Sequence, residues 1–222
     1  MILLLFGPPG CGKGTQAAFL AGRFQIPAIS TGEVFRTECK AGTELGKTVC
    51  QIISKGCLVS DELVNGIVAT RISRPDCANG FLLDGYPRTL PQARALGALL
   101  NQRGLPDPIV VHLHVADDAL VARLGARRQC PECRRIYNLL SQPPLVDSKC
   151  DDCHAPLLIR DDDCDAVIRR RLVAYQELTD PILQWYGGSV VRTVDGSQAA
   201  EKVRIAVEAA VVDALHVGPV RK

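Results

Sequence analysis

The sequence predicts an α/β fold: a parallel sheet flanked by helices, carrying two inserted subdomains. Short apolar runs alternate along the chain with segments of helical pattern. The runs are almost continuously apolar, as strands buried on both faces of a parallel sheet are. Two polar stretches interrupt the rhythm. At 222 residues, 47% of them apolar, the chain is long for one minimal domain and short for two, which favours one sizeable core with insertions.

In chain order the predicted strands are ILLLF (2–6), PAIS (27–30), FLLD (81–84), IVVHLHV (109–115) and SVVRTV (189–194). Helices are predicted over 13–24, 61–74, 91–103, 117–128, 165–184 and 199–215. From 30 to 59 a polar run of short helices replaces the single crossover helix expected between parallel strands, with Ser30 and Glu33 spaced as a capping box. From 127 to 163 lies a segment rich in Pro and Asp, poor in helical pattern and holding four cysteines. The core is therefore 1–29, 60–126 and 164–222, and both interruptions are insertions mounted on it. The tail 217–222 carries no pattern, and no internal repeat is present.

A net charge of +2 gives no signal for a nucleic-acid or membrane partner. Arginine outnumbers lysine 19 to 7, and guanidinium is the better fork for phosphate. The apolar start, Ile2 to Phe6, is too short for an export signal and lacks a basic lead. Ten cysteines in a chain with no export signal and an ample core indicate a cytoplasmic protein with reduced thiols, four of them on a metal.

GPPGCGKGT, Gly7 to Thr15, follows a buried strand and opens a helix, the context that makes a G-x-x-x-x-G-K match credible. Such glycines turn backbone N–H groups inward as an anion nest, the helix start adds its positive end, and Lys13 reaches the outer phosphates. Gly14 stands where Ser or Thr usually ligates Mg²⁺, and Thr15 follows one place later. Mg²⁺ must then lean on phosphate and water, with Asp84, at the end of FLLD, as the carboxylate that holds those waters.

Beyond the loop, ISTGEVFR (29–36), GCLVSDELV (56–64), GFLLDGYPRTLPQA (80–93), GARR (125–128) and DDDCDAVIRRRL (161–172) stand in order. With the loop they resemble the bacterial adenylate kinases of the long type, over essentially the whole chain to about residue 200. DGYPRT is the most specific of these stretches. The resemblance implies a P-loop core, an AMP-binding insertion at 30–59, a mobile lid at 127–163, and the reaction ATP + AMP ⇌ 2 ADP in adenine nucleotide homeostasis. It also implies a monomer.

Residue by residue, the resemblance places AMP against Thr31, Arg36, the backbone of Cys57, Leu58 and Val59, Gly85, Tyr86, Pro87, Arg88 and Gln92. It places ATP against Gly10, Cys11, Gly12, Lys13, Gly14, Thr15, Arg123, Arg127, Ile136, Tyr137 and Gln198, with Arg160 and Arg171 gripping phosphates from the lid side. Glu33 stands where the family more usually has aspartate, a mild change. Arg123 and Arg127, read as i and i+4 on one helical face, repel each other unless an anion lies over them.

A phosphate acceptor is already largely ionised at neutral pH, its second pKa being about 6, so no general base is needed. Catalysis becomes positioning plus cationic stabilisation, which suits Lys13, Arg36, Arg88, Arg123, Arg127, Arg160 and Arg171 without an obligatory His or Glu. His112 and His114 alternate on a predicted strand and read as structural. Water is the competing acceptor, so 127–163 is expected to close as a flap over the phosphates.

Cys130, Cys133, Cys150 and Cys153 form CxxC, sixteen residues, CxxC, a strong metal signature. Four thiolates favour Zn²⁺, with Fe²⁺ or Co²⁺ as alternatives; His154, adjacent to Cys153, is the lesser candidate, since the two CxxC pairs already supply four donors. A flap of this length buries too little apolar surface to hold itself, so the metal is expected to be structural. The flanking Arg127, Arg128, Arg134 and Arg135 invite a nucleic-acid-binding zinc ribbon, against which stand the carboxylates of 147–163. The other cysteines lack ligand spacing, although Cys11 beside Lys13 at a helix start has the setting of a depressed thiol pKa. The remaining rival is a kinase of UMP, CMP or GMP.

Overall fold

The computed structural model describes residues 1–217, so the end of the patternless tail, 218–222, lies outside the described residues. The main sheet holds β1 (Ile2–Phe6), β2 (Ala28–Ser30), β3 (Phe81–Asp84), β4 (Ile109–His114) and the seventh strand of the chain, β7 (Val191–Asp195). Its order is β2-β3-β1-β4-β7, with every neighbouring pair parallel. Between β4 and β7 in sequence a separate antiparallel pair forms, β5 (Arg127–Gln129) with β6 (Ile136–Asn138).

Period-two alternation divides the central strand between two cores. Ile2, Leu4 and Phe6 enter one, with Phe81 and Leu83, beneath α4 (Asp61–Ile72) and α5 (Leu90–Gln102). Leu3 and Leu5 enter the other, with Leu82, Val111 and Leu113, beneath α1 (Lys13–Phe24), α6 (Asp117–Gly125) and α9 (Ala200–Val217). Every residue of β1 is buried, the reason its sequence shows no polar alternation. Each such aliphatic side chain contributes about 1.5–3 kcal/mol on burial. With both faces covered, the open end is the crevice at the carboxyl ends of the strands, where β1 lies between β3 and β4.

The first insertion is a helical hairpin, α2 (Thr31–Ala41) and α3 (Glu44–Ser54). Gly42 turns the chain at φ 69°, and Thr43 caps α3 by accepting from the Gly46 N–H at 2.9 Å. The expected capping box at its start does not form: Ser30 is the N-cap of α2 without a side-chain cap bond, and Glu33 turns to the cavity described below. Cys39 and Cys50, expected as reduced thiols, are joined in a disulfide, because the packing of α2 on α3 brings their Cα atoms to 5.4 Å.

Of the predicted helices, one ends early and one divides. The helix expected over 117–128 stops at Gly125, since Arg127–Gln129 is drawn off to pair with Ile136–Asn138. The helix expected over 165–184 divides into α7 (Asp165–Ala174), a π-helical turn Tyr175–Thr179, and α8 (Asp180–Tyr186). Pro181 has no N–H to continue an α-helical ladder, and the wider turn absorbs the break. No described helix is long and apolar enough to cross a membrane.

Candidate active site

The loop between β1 and α1 takes its shape from residues without a Cβ. Gly12, at φ 101°, is the N-cap of α1, and at Gly10 a Cβ would meet Leu124 Cγ at 2.8 Å. The loop therefore packs against α6 and leaves its amides around the start of α1, where the helix dipole favours an anion. Lys13 Nζ folds back on the loop, donating to the carbonyls of Gly7 (2.6 Å) and Pro8 (3.0 Å).

This loop forms the floor of a cavity of about 830 Å³. Gly10, Cys11, Gly12, Lys13, Gly14 and Thr15 line it, and Asp84 enters from the end of β3. One wall brings Thr31 and Arg36 of α2 together with Cys57, Leu58 and Val59. Gly85, Pro87, Arg88 and Gln92 complete that side. Arg123 and Arg127, Ile136 and Tyr137 of β6, Gln198, Arg160 and Arg171 line the same cavity. Of the expected site residues, Tyr86 turns away: it is buried in the core, and its hydroxyl donates to Asn65 Oδ1 at 2.7 Å.

The arginines crowd one another. Burial pushes Arg36 and Arg88 below the ordinary guanidinium value, and neighbouring arginines push in the same direction. Arg160 is driven down to about 9, first by burial and then by Arg127 and Arg36. Two carboxylates offset part of this charge. Asp163, fully buried, accepts both forks of Arg127, with Nε at 2.7 Å, and Asp162 pairs with Arg171 at 2.9 Å. Burial alone would raise Asp162, yet Arg171, Arg127, Arg160 and Arg36 together hold it below the usual carboxylate range. A cavity with this cationic excess is built for a polyanion.

Arg123 and Arg127 do not share a helical face, because α6 ends between them; Arg123 instead donates to the carbonyls of Gly196 (2.7 Å) and Ser197 (2.8 Å). Gln198 Nε2 reaches Asp195 Oδ2 at 3.3 Å. Burial raises the Asp84 carboxyl, opposed by Lys13 and Arg88. Burial also raises the Cys11 thiol and outweighs Lys13, in keeping with a small buried residue packed in the loop rather than a reactive thiol. His112 is pushed down to about 4 by burial and then by His114 and Lys13, which favours its neutral form at pH 7.

Polar partners distant in sequence were not foreseen. Arg88 is held at both backbone atoms: its N–H donates to Gln92 Oε1 (2.7 Å), and its carbonyl accepts from Thr179 Oγ1 (3.0 Å). Thr179 closes the π-helical turn, a feature often found at functional sites. Asp162, Asp163 and Arg171 stand together in the run DDDCDAVIRRRL, whereas Arg127 reaches Asp163 from 36 residues away.

Cys130, Cys133, Cys150 and Cys153 converge, all four sulfurs lying within 4.8 Å of one another. Tetrahedral thiolates at about 2.3 Å from a zinc ion need spacings of this order, so the donor set fits that metal. The two knuckles repeat one backbone device: Cys130 N–H donates to the Arg135 carbonyl and Cys150 N–H to the Ala155 carbonyl, each at 2.9 Å. Arg134 and His154 take left-handed φ of 65° and 59° at equivalent places, and His154 is not among the converging donors. Tyr137 joins knuckles and cavity: it is among the residues that line the cavity, while its side chain packs with Cys130 and Cys150 and its hydroxyl accepts the Asp151 N–H at 2.8 Å. The basic flank is partly neutralised, Arg135 pairing with Asp151 and Asp152.

Comparison with known proteins gives one consistent answer. The sequence model of the adenylate kinase family matches residues 5–190. The chain is 46% identical over 205 residues to an adenylate kinase of Kosmotoga olearia, covering 91% of this chain and 95% of that one. It is 44% identical over 214 residues to one of Trichlorobacter lovleyi, covering 96% and 100%, and 45% identical over 204 residues to one of Methanococcoides burtonii, covering 91% and 94%.

Proposed function

The chain belongs to the adenylate kinase family, and on that premise we propose how its cavity transfers a phosphoryl group from ATP to AMP to give two ADP. ATP lies with its phosphates on Gly10 to Thr15 and its nucleoside toward Arg123, Arg127, Ile136, Tyr137 and Gln198. AMP lies on the wall of Thr31, Arg36, residues 57–59, Gly85, Arg88 and Gln92. Residues 30–59 then form the AMP-binding subdomain and 127–163 the lid. The observation that carries this reading is the convergence of Lys13 and six arginines, Arg36, Arg88, Arg123, Arg127, Arg160 and Arg171, on one cavity.

The acceptor phosphate is already ionised and needs no base, so the carboxylates that line the cavity, Glu33 and Asp84 among them, are not called on for proton transfer. Lys13 and the loop amides hold the outer phosphates of ATP, and Arg36 and Arg88 aim the AMP phosphate at them. Arg127, Arg160 and Arg171 stabilise the charge spreading over the group in transfer. Their mutual repulsion in the empty cavity is relieved when phosphate enters, so binding and charge relief coincide. Bound Mg²⁺ supplies further neutralisation of that charge, and Asp84 and Thr15 are the side chains placed to hold it through phosphate and water. Zinc on the four cysteines supplies folding free energy to the lid, and Fe²⁺ or Co²⁺ suits the same donors.

A panel of monophosphate acceptors in a coupled ADP assay tests the substrate: AMP is expected to turn over fastest, and faster turnover of UMP, CMP or GMP would reassign the enzyme. Lid closure has its own readout. Amide hydrogen exchange across 127–163 is expected to slow markedly on adding a bisubstrate analogue that spans both nucleotide sites, and unchanged exchange there would remove the lid role.

A further inference from the structure

Asp61 is the first residue of α4, and its carboxylate accepts two hydrogen bonds from the segment after β3. Thr89 Oγ1 donates to its Oδ2 at 2.9 Å, and Gln92 Nε2 donates to its Oδ1 at 2.7 Å. The other end of the Gln92 amide, Oε1, accepts the Arg88 N–H at 2.7 Å. Gln92 is 2% exposed, yet it lines the cavity.

A glutamine amide is nearly the same shape either way round, so its orientation is decided by its partners. Here the partners have no ambiguity. An ionised carboxylate can only accept, and a backbone N–H can only donate. Reversing the amide would set oxygen against carboxylate and NH₂ against N–H, two repulsive contacts in a buried place. One amide N–H and one oxygen lone pair remain for a ligand, in a fixed left-right order. Adenine offers an acceptor at N1 and a donor at its 6-amino group, which that order matches. A 6-oxopurine offers the opposite pair, N1–H and O6, and needs the reversed amide.

We propose that Asp61 is a positioning residue that sets base specificity through Gln92, favouring adenine over 6-oxopurine monophosphates. The inference rests on the reading above that AMP occupies the Gln92 wall of the cavity. Asp61→Asn preserves shape but replaces an acceptor-only partner with one that donates or accepts, so reversal of Gln92 costs one repulsive contact instead of two. The test compares kcat/KM for AMP and IMP in the full-length, metal-loaded protein. IMP is the probe because it reverses N1 and the 6-position without adding a 2-amino group. The AMP to IMP ratio is expected to fall about tenfold in Asp61→Asn, the equivalent of one such contact, through KM for the monophosphate rather than KM for ATP. Asp61→Ser, smaller and likewise able to donate or accept, is expected to shift the ratio in the same direction and covers the case that Asp61→Asn folds poorly. Equal losses for AMP and IMP, or an unchanged ratio in the folded variants, overturn the inference by making Asp61 merely structural. A wild-type enzyme that already uses IMP as well as AMP would instead remove the substrate reading on which the inference stands.

Discussion

Arg88→Met is expected to lower kcat by about 10²–10³-fold, the scale of removing one preorganised charge donor from a transition state, while leaving the thermal midpoint of the nucleotide-free protein unchanged or slightly raised. The first half follows from how the residue is held. Its N–H, its carbonyl and its Nε are bound by Gln92, Thr179 and Gly85, the last at 2.8 Å, so the guanidinium is aimed before substrate arrives. The second half follows from sign. Burial and the nearby Arg171 and Arg36 lower the folded-state pKa of Arg88, so its charge is held at a cost in the empty fold. Methionine keeps the apolar stem and removes that cost. Steady-state kinetics and calorimetry on the same preparation check both halves: a kcat loss below tenfold would take Arg88 out of the catalytic set, and a large drop in midpoint would make it a structural residue. Activity and stability are expected to part company here, as they do where a site is strained for function.

Removing the lid metal is expected to lower the thermal midpoint by on the order of 10 °C, with turnover per folded molecule changed far less. The buried cluster of the lid is small, Cys130, Tyr137 and Cys150, while Leu140, Leu145, Val146, Leu158 and Ile159 are exposed. Such a segment has little apolar burial to set against its chain entropy, so ligand bonds supply the difference. At this chain length about 1 kcal/mol corresponds to 2–4 °C, so a loss of a few kcal/mol gives the stated shift. Chelation followed by elemental analysis, calorimetry and a coupled assay measures it, with Cys150→Ser as the covalent counterpart. A collapse of kcat at an unchanged midpoint would give the metal a chemical role.

The sequence made the architecture legible wherever the signal was local. β1 and the phosphate loop were readable because continuous apolarity, glycine and lysine stand side by side, and the knuckles because their ligands repeat at CxxC spacing. The cavity residues were legible one at a time, through resemblance of short stretches, and their convergence required the fold. What stayed hidden depends on contacts between distant segments. Cys39 and Cys50 meet only when α2 packs on α3, and Thr179 reaches Arg88 only through a π-helical turn. Local rules also lost to tertiary contacts twice: Glu33 leaves Ser30 for the cavity, and Arg127 leaves the helix for a strand. Arg123 and Arg127 therefore do not repel along one helical face, since α6 ends before Arg127, although both residues line the same cavity.

Tyr137 lines the cavity, yet its side chain packs with Cys130 and Cys150 and its hydroxyl accepts from Asp151 of the second cysteine knuckle. One side chain is thus a shared wall between two compartments with different chemistries. A change at Tyr137 therefore bears on the cysteine cluster and on the cavity together.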